Sequence, residues 1–301
     1  MNRLLATKVL APGTILLEVE AAGIAARCKA GQFVILRPTA HSERIPLTIV
    51  DADRNRGVIT LVVQAAGKTT QTIASLADGD LILDVLGPLG EPTRVEKVGH
   101  VLGVAGGIGV AALLPVIRAM QAAGNKGTAL CGARSQRSII LRGEIESSTS
   151  ESAWATEDGS FGFHGNVVEL MQAWYQAQYS PPDLVHLVGP VRMMQAAAEV
   201  TRDWQVPTVA SLNPIMIDGI GMCGGCRVAV GGVTRFACVE GPEFDAHQVD
   251  FEDLARRNRA YSQQERQALL RHECKLPGAI PTPGSVAPQH LGSLTRHAAK
   301  T

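Results

Sequence analysis

The sequence of 301 residues has few aromatic side chains, and its charges balance. Phe, Trp and Tyr together make up 4% of the chain, so we expect a core built mainly from Val, Leu, Ile and Ala. With 28 basic and 28 acidic residues, the composition predicts no binding to nucleic acid or to an anionic membrane. No uninterrupted apolar run reaches the roughly 18 residues that a transmembrane helix needs.

The N-terminus and the scarcity of cysteine bear on location. The apolar core of residues 1–13 is too short for a signal peptide. The six cysteines are few and partly clustered, which is typical of a reducing compartment and a bound cofactor rather than of a disulfide framework. We therefore expect a cytoplasmic protein. The chain is long enough for two domains and a small third module.

Three cysteines, Cys223, Cys226 and Cys238, lie in the glycine-rich stretch Ser211–Gly241. With Asp218 they form the pattern D-x4-C-x2-C-x11-C, which has the spacing of a plant-type [2Fe–2S] site with Asp in the first place. The glycines between Asp218 and Cys226 would let the backbone pass close to sulfide and adopt positive φ angles.

Three interpretations of this stretch remain open. The thiols are buried small hydrophobic groups in a turn, or half of a zinc site, or ligands of an iron–sulfur cluster. A zinc ribbon would need a second close C-x2-C or a pair of His residues, and neither is present, so we favour the cluster. The other cysteines are isolated and are not expected to be ligands: Cys28, Cys131 and Cys274.

The first third of the chain alternates short apolar segments with Gly and Pro turns. Segments rich in Val, Ile and Leu predict six strands, which are separated mostly by these turns. Six short strands at this spacing predict a small antiparallel β barrel with one helix inserted over Thr69–Ala77. The predicted strands are residues 3–10, 14–21, 32–37, 45–51, 57–64 and 81–86.

Two stretches of this region combine cations with hydroxyl groups. Residues 44–49, RIPLTI, place a basic residue, a rigid turn and a hydroxyl at the start of a strand. Residues 67–70, GKTT, open the predicted helix, whose N-terminus offers N–H groups and partial positive charge to a phosphate. Alone, each is better explained by an exposed arginine or a helix N-cap. Together with the turn GPLG at residues 87–90, they predict a flavin diphosphate site.

From His100 onwards, strands alternate with helices. The strand HVLGVAGG runs into Gly106-Gly107-Ile108-Gly109 and then into a helix, an order that holds dinucleotide phosphates. The G-x-G-x-x-G fingerprint is incomplete, and no acidic residue follows about 20 positions later. The alternation predicts a parallel sheet covered on both faces. It comprises strands 127–134, 152–158, 183–190 and 207–212, and helices 138–146, 165–177 and 191–203.

Ligands bind at the carboxyl ends of parallel strands. Arg134 and Arg137 follow one such end and could bind an adenosine phosphate by bidentate contact, although exposure on a loop explains them equally well. Asp158-Gly159 and Gly189-Pro190 lie at two further ends. The sequence does not decide between NADH and NADPH.

The order of flavin barrel, pyridine-nucleotide domain and C-terminal [2Fe–2S] module resembles the electron-transfer subunit of dihydroorotate dehydrogenase type B, within the ferredoxin–NADP reductase superfamily. It is most similar to the branch of small subunits of NADH-dependent reduced ferredoxin:NADP oxidoreductase, also called sulfide dehydrogenase. The resemblance covers residues 1–276. It implies an FAD-binding barrel (1–97), an NAD(P)-binding Rossmann-like α/β domain (98–210), a [2Fe–2S] module (211–250) and a C-terminal helix (251–276), with residues 277–301 expected to be disordered.

The resemblance also assigns roles to residues of the barrel. ERIPLTI is similar to the family's flavin motif, which makes Arg44 a diphosphate ligand and Thr48 the hydroxyl near flavin N5, the predicted catalytic residue. Pro46 and Leu47 would lie beside the ring. In the wider superfamily the Arg lies two residues before an aromatic that stacks on the flavin, whereas here the spacing differs and no aromatic is present. The second phosphate loop would be Gly67, Lys68, Thr69 and Thr70.

The remaining assignments concern the nucleotide and the cluster. Gly106, Gly107 and Gly109 resemble the NAD(P) loop, with Arg134 as a further candidate for nucleotide binding. The positions beside the nicotinamide would be Asp158, Gly159, Gly189 and Pro190. The predicted cluster ligands are Asp218, Cys223, Cys226 and Cys238. In the dihydroorotate dehydrogenase subunit all four ligands are Cys, so Asp218 resembles the ferredoxin-linked branch.

The implied function is electron exchange between NAD(P)H, FAD and the cluster. No paired carboxylates or nucleophile–base motif stands out for an organic substrate, which suggests a larger catalytic partner with further flavin or [4Fe–4S] centres. Ferredoxin is a second possible partner. The alternatives are a stand-alone NAD(P)H flavin or ferredoxin reductase, the electron-transfer subunit of a dihydroorotate dehydrogenase, and a redox-sensing binding protein.

Overall fold

The computed structural model describes residues 1–178 and 180–273. The predicted disordered tail (277–301), Cys274 and the end of the predicted C-terminal helix lie outside the described residues. Within them, the three predicted units are present: an antiparallel barrel, an α/β domain and a smaller unit of loop and hairpin. No helix in residues 1–178 and 180–273 combines the length and the apolar character that crossing a membrane requires.

The first unit is a seven-stranded antiparallel sheet that curves into a nearly closed barrel. Its strands are β1 (Asn2–Ala11), β2 (Thr14–Glu20), β3 (Phe33–Arg37), β4 (Ile45–Asp53), β5 (Val58–Gln64), β6 (Leu81–Ile82) and β7 (Asp84–Leu89). They pair in the order β6-β1-β2-β5-β4-β3-β7. Two short helices accompany them, α1 (Ala22–Ala25) and α2 (Lys68–Ala74). All six predicted strands are confirmed, the last of them divided into β6 and β7.

Alternation along β4 gives this strand two distinct faces. Ile45, Leu47 and Ile49 pack with the interior cluster of the barrel. Because successive side chains of a strand point to opposite faces, Pro46 and Thr48 lie on the outer face. The barrel interior is thus filled by aliphatic side chains, as the low aromatic content predicts.

The second unit is a parallel sheet with helices on its faces. Its strands are β8 (His100–Gly106), β9 (Lys126–Ala133), β10 (Glu151–Thr156), β11 (Phe163–His164), β12 (Leu184–Val188) and β13 (Thr208–Ser211). They pair in the order β11-β10-β9-β8-β12-β13. The order reverses between β8 and β12, which is where open α/β sheets form a ligand crevice.

The helices of this unit are α3 (Gly109–Ala122), α4 (Arg142–Ser147), α5 (Val167–Gln176) and α6 (Val191–Asp203). Only α4 differs much from the prediction, which began it at residue 138. A 3₁₀ turn at Gln136–Ser138 comes first, and Leu141 then adopts a left-handed conformation with φ 51°. The α-helix therefore begins only at Arg142.

The third unit is a loop followed by the hairpin β14 (Arg227–Val230) and β15 (Val233–Phe236). After the hairpin, β16 (Glu243–Asp245) returns to the nucleotide sheet and pairs antiparallel with β13. The predicted boundary at residue 211 therefore separates, in sequence, two strands that are neighbours in one sheet. Sequence proximity assigns β16 to the third unit, and hydrogen bonding assigns it to the second.

The structure divides the predicted C-terminal helix into α7 (Phe251–Asn258) and α8 (Ser262–Glu273). Helix α7 buries Phe251 and Leu254 and packs against α6 and β14, whereas α8 packs against α2 on the barrel. A turn over residues 259–261 redirects the chain between these two surfaces.

Two apolar clusters join the units. Val50 and Val62 on the outside of the barrel pack with the α3 side chains Val110 and Leu114. A second cluster contains Phe33 and Ile35 of the barrel, strands of the nucleotide sheet, and Cys226 and Cys238 of the third unit. The three units are therefore held against one another by continuous buried surface.

Candidate functional site

Cys226 and Cys238 lie on the two sides of the β14–β15 hairpin. Their Sγ atoms are 3.1 Å apart, both side chains are buried, and both cysteines are free. Burial, with a further contribution from the neighbouring Cys226 thiol, raises the pKa of Cys238 to about 12. Two thiolates therefore need a cation to share this pocket, and metal binding supplies one.

Asp218 and Cys223 form the outer side of the same loop. Asp218 Oδ2 accepts a hydrogen bond from the Cys223 N–H at 2.6 Å, and Oδ1 accepts one from the Ile220 N–H at 3.0 Å. Ile220 and then Cys223, through these N–H groups, lower the pKa of Asp218. The Cys223 side chain is exposed, and its Sγ accepts a hydrogen bond from the Gly225 N–H at 3.4 Å.

The four predicted ligands thus form two pairs, Asp218 with Cys223 and Cys226 with Cys238. In the part of the chain that the structure describes, no three His, Cys, Asp or Glu side chains converge to hold one metal ion. A mononuclear zinc site would need three or four ligands on one ion. Two pairs suit a two-iron cluster, in which each iron takes two protein ligands.

Backbone N–H groups also point at the sulfur atoms. Cys238 N donates to Cys226 Sγ at 3.5 Å, and the backbone of Gly221 acts on the Cys238 sulfur, lowering its pKa against the larger effect of burial. Such N–H donors tune iron–sulfur centres. The chemistry of the loop therefore fits a [2Fe–2S] cluster.

The cluster loop, residues 218–226, lies directly against the barrel. Gly219 has φ 74°, and a Cβ there would stand 2.6 Å from Leu89 Cδ1 and 2.7 Å from Ile35 Cγ1. Only glycine allows this approach. Because Ile35 pairs with Pro46 across β3 and β4, the loop lies next to the outer face of β4.

The outer face of β4 carries Thr48. Its cross-strand partner Phe33 packs in the cluster that joins the barrel to the nucleotide sheet, so Thr48 lies toward the cleft between the barrel and that domain. Leu47 packs inside the barrel instead. Its side chain is half-buried on the opposite face from Thr48, so its backbone lies nearer to the outer face than its side chain does. The packing of Leu47 near a flavin ring stays a prediction.

Cations gather at one edge of the barrel. Arg44 NH2 lies 3.5 Å from Asp84 Oδ2, and Arg37 NH2 lies 2.6 Å from the same oxygen. One carboxylate thus lies against two guanidinium groups. Glu43 N donates to Thr69 Oγ1 at 3.2 Å, which brings the segment containing Arg44 beside the N-terminus of α2. This arrangement could bind a diphosphate.

The GKTT stretch starts α2 as predicted, but its hydroxyl groups are engaged within the protein. Thr70 Oγ1 accepts hydrogen bonds from Gly67 N at 2.9 Å and Ala66 N at 3.0 Å, so it caps the helix. Thr69 is buried and holds the neighbouring loop. The Lys68 ammonium and the Gly67 backbone are the less engaged groups of this stretch, and the phosphate loop Gly67, Lys68, Thr69 and Thr70 stays a prediction.

The glycine loop after β8 meets the end of β12. A Cβ on Gly109 would overlap the carbonyl oxygen of Val188, and one on Gly106 would stand 3.1 Å from Pro190 Cδ. Gly107 has φ 57°, and a Cβ there would meet nothing within 4 Å, so this side of the loop is open. Glycine is required here for close approach and for backbone conformation, at the point where the strand order reverses.

The other predicted nucleotide residues divide into two groups. A Cβ on Gly189 would stand 3.0 Å from Gly106 N, so Gly189 belongs to the crevice. Asp158 and Gly159 follow β10, two strands away from β8. Asp158 Oδ1 accepts hydrogen bonds from Ser160 Oγ at 2.6 Å and Ser160 N at 3.0 Å. These bonds lower the pKa of Asp158 and hold its carboxylate in its own turn.

Arg134 is exposed just beyond β9. Across residues 1–178 and 180–273, no carboxylate forms an ion pair with it. It therefore lies between the crevice and the Asp158 turn, on the same edge of the sheet, with a guanidinium available for a phosphate.

The outer surface of the cluster loop carries apolar side chains that sequence analysis missed. Met222 is 83% exposed, and Ile220 is 57% exposed. We call this surface the apolar rim, and it comprises Ile217, Ile220, Met222 and Val239. Clustered exposed apolar side chains mark interaction sites. Their alternation with glycine within the cysteine motif is the signal that could have revealed them.

Comparisons with known proteins agree with this geometry. Residues 213–250 match the family model described as the iron–sulfur cluster binding domain of dihydroorotate dehydrogenase B. A relative from Thermotoga maritima, named dihydroorotate dehydrogenase B (NAD(+)) electron transfer subunit homolog, is 41% identical over 248 residues, 82% of this chain and 87% of its own. The electron transfer subunit from Desulforamulus reducens is 33% identical, over 83% of this chain and 97% of its own.

Solved structures resemble the chain as well. The structure described as the NADH-dependent reduced ferredoxin-NADP oxidoreductase has a TM-score of 0.85 and 38% identity, over 90% of this chain and 97% of its own. Phthalate dioxygenase reductase, at 15% identity and a TM-score of 0.57, covers 76% of this chain and 86% of its own, and shares the fold alone. With several relatives above 30% identity along most of its length, the chain belongs to the family of dihydroorotate dehydrogenase B electron transfer subunits.

Proposed function

We propose that this chain is an electron-transfer subunit that carries FAD and a [2Fe–2S] cluster and exchanges electrons between NAD(P)H and a larger partner subunit. The observation that carries the proposal is the contact of the cluster loop with the barrel, where Gly219 lies against Ile35 and Leu89 beside the outer face of β4. A one-electron carrier in this loop would adjoin a flavin bound on that face. The names of the relatives support the same function.

Four side chains would hold the cluster. Cys226 and Cys238 would supply a buried pair of thiolates, whereas Asp218 and Cys223 would supply a more exposed pair, with the carboxylate half-buried and the thiol exposed. An oxygen ligand on one side would change the reduction potential relative to four thiolates. The exposed pair lies on the side from which a partner would approach.

The barrel would hold FAD by its diphosphate and by its ring. Arg44, Lys68 and the backbone of Gly67 would bind the diphosphate, and the Thr48 hydroxyl would donate a hydrogen bond at flavin N5. Pro46 lies on the same outer face as Thr48. When bound, FAD would supply hydride acceptance and single-electron release, which are properties of the cofactor rather than of the chain.

The nucleotide would bind in the crevice between β8 and β12. The backbone of Gly106, Gly107 and Gly109 would approach the pyrophosphate. Gly189 and Pro190 would adjoin the nicotinamide. Arg134 would reach an adenosine phosphate, with Asp158 and Gly159 shaping the neighbouring turn. The cleft between the barrel and the nucleotide domain would then bring the nicotinamide to the Thr48 face of β4.

The apolar rim favours a subunit over a stand-alone reductase. Met222 and Ile220 expose apolar surface around the cluster loop, which a stable partner would bury. Such a partner would receive or deliver electrons through the exposed Asp218–Cys223 side of the cluster.

The identity of the partner separates two forms of this function. Relatives named dihydroorotate dehydrogenase B subunits favour a dihydroorotate-oxidising partner, whereas the resemblance to the NADH-dependent reduced ferredoxin-NADP oxidoreductase favours a ferredoxin-linked one. The carboxylate of Asp218 in the first ligand position supports the second form. Assays of the co-purified complex for dihydroorotate oxidation and for ferredoxin-dependent NADP reduction would distinguish them.

The test of the proposed function is the cofactor content of the anaerobically purified chain. We expect about two irons, two sulfides and one FAD per chain, with an S = 1/2 EPR signal after reduction by dithionite. NADH or NADPH should bleach the flavin absorption, and the more effective of the two identifies the nucleotide. Zinc without sulfide would remove the cluster and leave at most a flavin reductase.

A further inference from the structure

A partly buried hydrogen-bond network joins the three units at one carboxylate oxygen. Glu243 Oε1 accepts a hydrogen bond from Thr93 Oγ1 at 2.6 Å and lies 3.1 Å from His186 Nε2. Thr93 belongs to the segment between β7 and β8, and His186 lies within β12. Glu243 begins β16, five residues after the predicted ligand Cys238. We call these three residues the junction network.

The barrel is shaped to admit this network. Gly31 has φ 81°, and a Cβ there would overlap Thr93 Oγ1 and stand 2.9 Å from Glu243 Oε1. Thr93 N donates to the Ala30 carbonyl at 2.9 Å, which fixes the threonine beside the glycine. The Gly31 backbone therefore provides the space in which Glu243 meets Thr93.

His186 acts as a hydrogen-bond donor in this network. Its side chain is buried, and this burial lowers its pKa, so the ring is neutral. Its Nδ1 is buried and has no hydrogen-bond partner among the described residues. Because Nε2 faces the oxygen of Glu243, the single ring proton lies on Nε2 and is donated to that oxygen.

The residues beside Glu243 are bonded to the same two units. Glu91 N, just after the barrel, donates to the Gly241 carbonyl at 2.7 Å. Leu212 N, just after β13, donates to the Pro242 carbonyl at 2.8 Å. Residues 241–243 are therefore fixed to both the barrel segment and the nucleotide sheet, immediately after the cluster hairpin.

We propose that Glu243 is a positioning residue: by accepting hydrogen bonds from Thr93 and His186, it holds the cluster loop against the flavin barrel and so sets the geometry of electron transfer between them. This inference rests on the proposed function. A largely buried carboxylate without hydrogen-bond partners costs free energy. The arrangement of the three units in which Glu243 keeps both partners is therefore more stable than arrangements that break these hydrogen bonds.

The test uses Glu243→Leu in the chain loaded with flavin and cluster. The variant removes both hydrogen bonds while keeping a side chain of similar size. We expect the reduction of flavin by nucleotide to change by less than about twofold and the flavin-to-cluster step to slow by about tenfold or more, because the rate of electron tunnelling depends steeply on the separation of the two cofactors. Stopped-flow absorption at separate flavin and cluster wavelengths measures the two steps.

Two further variants distinguish the positioning role of Glu243 from an effect of its charge and from a general loss of structure. Glu243→Gln keeps an oxygen that can accept both hydrogen bonds, so we expect it to restore the wild-type rate. Glu252→Gln breaks an exposed ion pair with Arg192 and should change neither step. Slowing by Glu243→Gln as large as that by Glu243→Leu would overturn the positioning role.

A milder variant covers the case in which Glu243→Leu does not fold. Thr93→Val removes one donor and should slow the same step in the same direction. Combined with Glu243→Leu it should add nothing, since both act through one network. An unchanged flavin-to-cluster rate in Thr93→Val, or in Glu243→Leu with full iron and flavin, would overturn the inference.

Failure of the proposed function gives a different result. A wild-type chain without a cluster, or without bleaching of the flavin by either nucleotide, would disprove that function. Hydrogen–deuterium exchange of residues 212–226 would still test the junction network. Faster exchange in Glu243→Leu than in Glu252→Gln would show that Glu243 holds the loop, and equal exchange would overturn that claim.

Discussion

Cys226 is the residue whose replacement separates the two proposed cofactors. It is buried against Cys238 in the third unit, whereas the predicted flavin-binding residues lie on the barrel. We expect Cys226→Ser to lose iron, sulfide and the associated visible bands while FAD stays bound. Metal and sulfide assays with absorption spectra measure this. The control Cys28→Ser changes a half-buried barrel cysteine and should keep both cofactors. Iron that survives unchanged in Cys226→Ser would refute the ligand set.

Gly31 is the residue at which a single methyl group should disturb the junction of the units. Gly31→Ala combines a left-handed backbone angle with overlap of Thr93, so we expect a loss of about 2–4 kcal/mol in the free energy of unfolding. The control Gly13→Ala has a similar φ of 70° but no atom within 4 Å of its Cβ and should cost about 1–2 kcal/mol. Denaturant unfolding of the two variants measures the difference, and equal losses would contradict the overlap.

Residue type and spacing mark the candidate ligands and the glycine loops, whereas they do not indicate which way hydroxyl and apolar side chains face. Cys223, Cys226 and Gly109 are marked by spacing and by residue type. Leu47 and Thr69 are not, because the facing of a side chain and its hydrogen-bond partner depend on neighbours distant in sequence. Leu47 turned out to face the barrel interior, and Thr69 is engaged with Glu43.

At the scale of elements, the turn between β8 and α3 should control nucleotide binding. Gly107→Val would place a branched side chain on the open side of this turn, where the backbone would approach the pyrophosphate. We expect the KM for NAD(P)H to rise by about tenfold or more, because the phosphate contact is lost. Steady-state kinetics measures this.

The control for this variant lies at the other end of the same helix. Gly124→Val changes a glycine with φ 85°, whose Cβ would make only ordinary contact with Lys97. Valine is about as unfavourable for the left-handed backbone at position 124 as at position 107, but position 124 lies away from the crevice. The KM of Gly124→Val for NAD(P)H should therefore stay at the wild-type value. Equal KM values for Gly107→Val and the wild-type chain would remove the turn from the nucleotide site.

The strong periodicity of apolar residues predicts the long helices and strands, whereas the short elements carry no such signal. The barrel strands and the alternating strands and helices after His100 follow from apolar patterns and turn residues. Strand β16 has only three residues, too few for a periodic signal. The division of the C-terminal helix into α7 and α8 was missed because both stretches are polar and helical, and only their separate docking surfaces set the turn between them.

For the whole molecule, the apolar rim should control assembly with the partner subunit. Met222→Lys places a charge where apolar surface would be buried, so we expect the affinity for the co-purifying partner to fall by about tenfold or more. Size-exclusion chromatography and binding titration measure it. Val9→Lys alters an equally exposed apolar side chain on the barrel, 74% exposed, and should bind normally. Unchanged assembly of Met222→Lys would place the partner elsewhere.

The order of the three units could be predicted from sequence, whereas the way in which they pack together could not. Motifs identify each unit separately, but the contact of Gly219 with Ile35 joins positions 184 residues apart in sequence, and that of Thr93 with Glu243 joins positions 150 residues apart. A single sequence contains no local pattern for such pairs. These contacts can be recognised only in the folded chain, where the units lie against one another.

Both edges of the nucleotide sheet end in very short strands, β11 with two residues and β16 with three. Short terminal strands leave little free backbone for another chain to pair with, which protects a sheet against aggregation. Deleting residues 212–250 to obtain a simple flavin reductase would remove β16 and expose the edge of β13. We expect such a shortened chain to self-associate. The segment that would carry the cluster therefore also covers the edge of β13, so removing it would change the nucleotide domain as well.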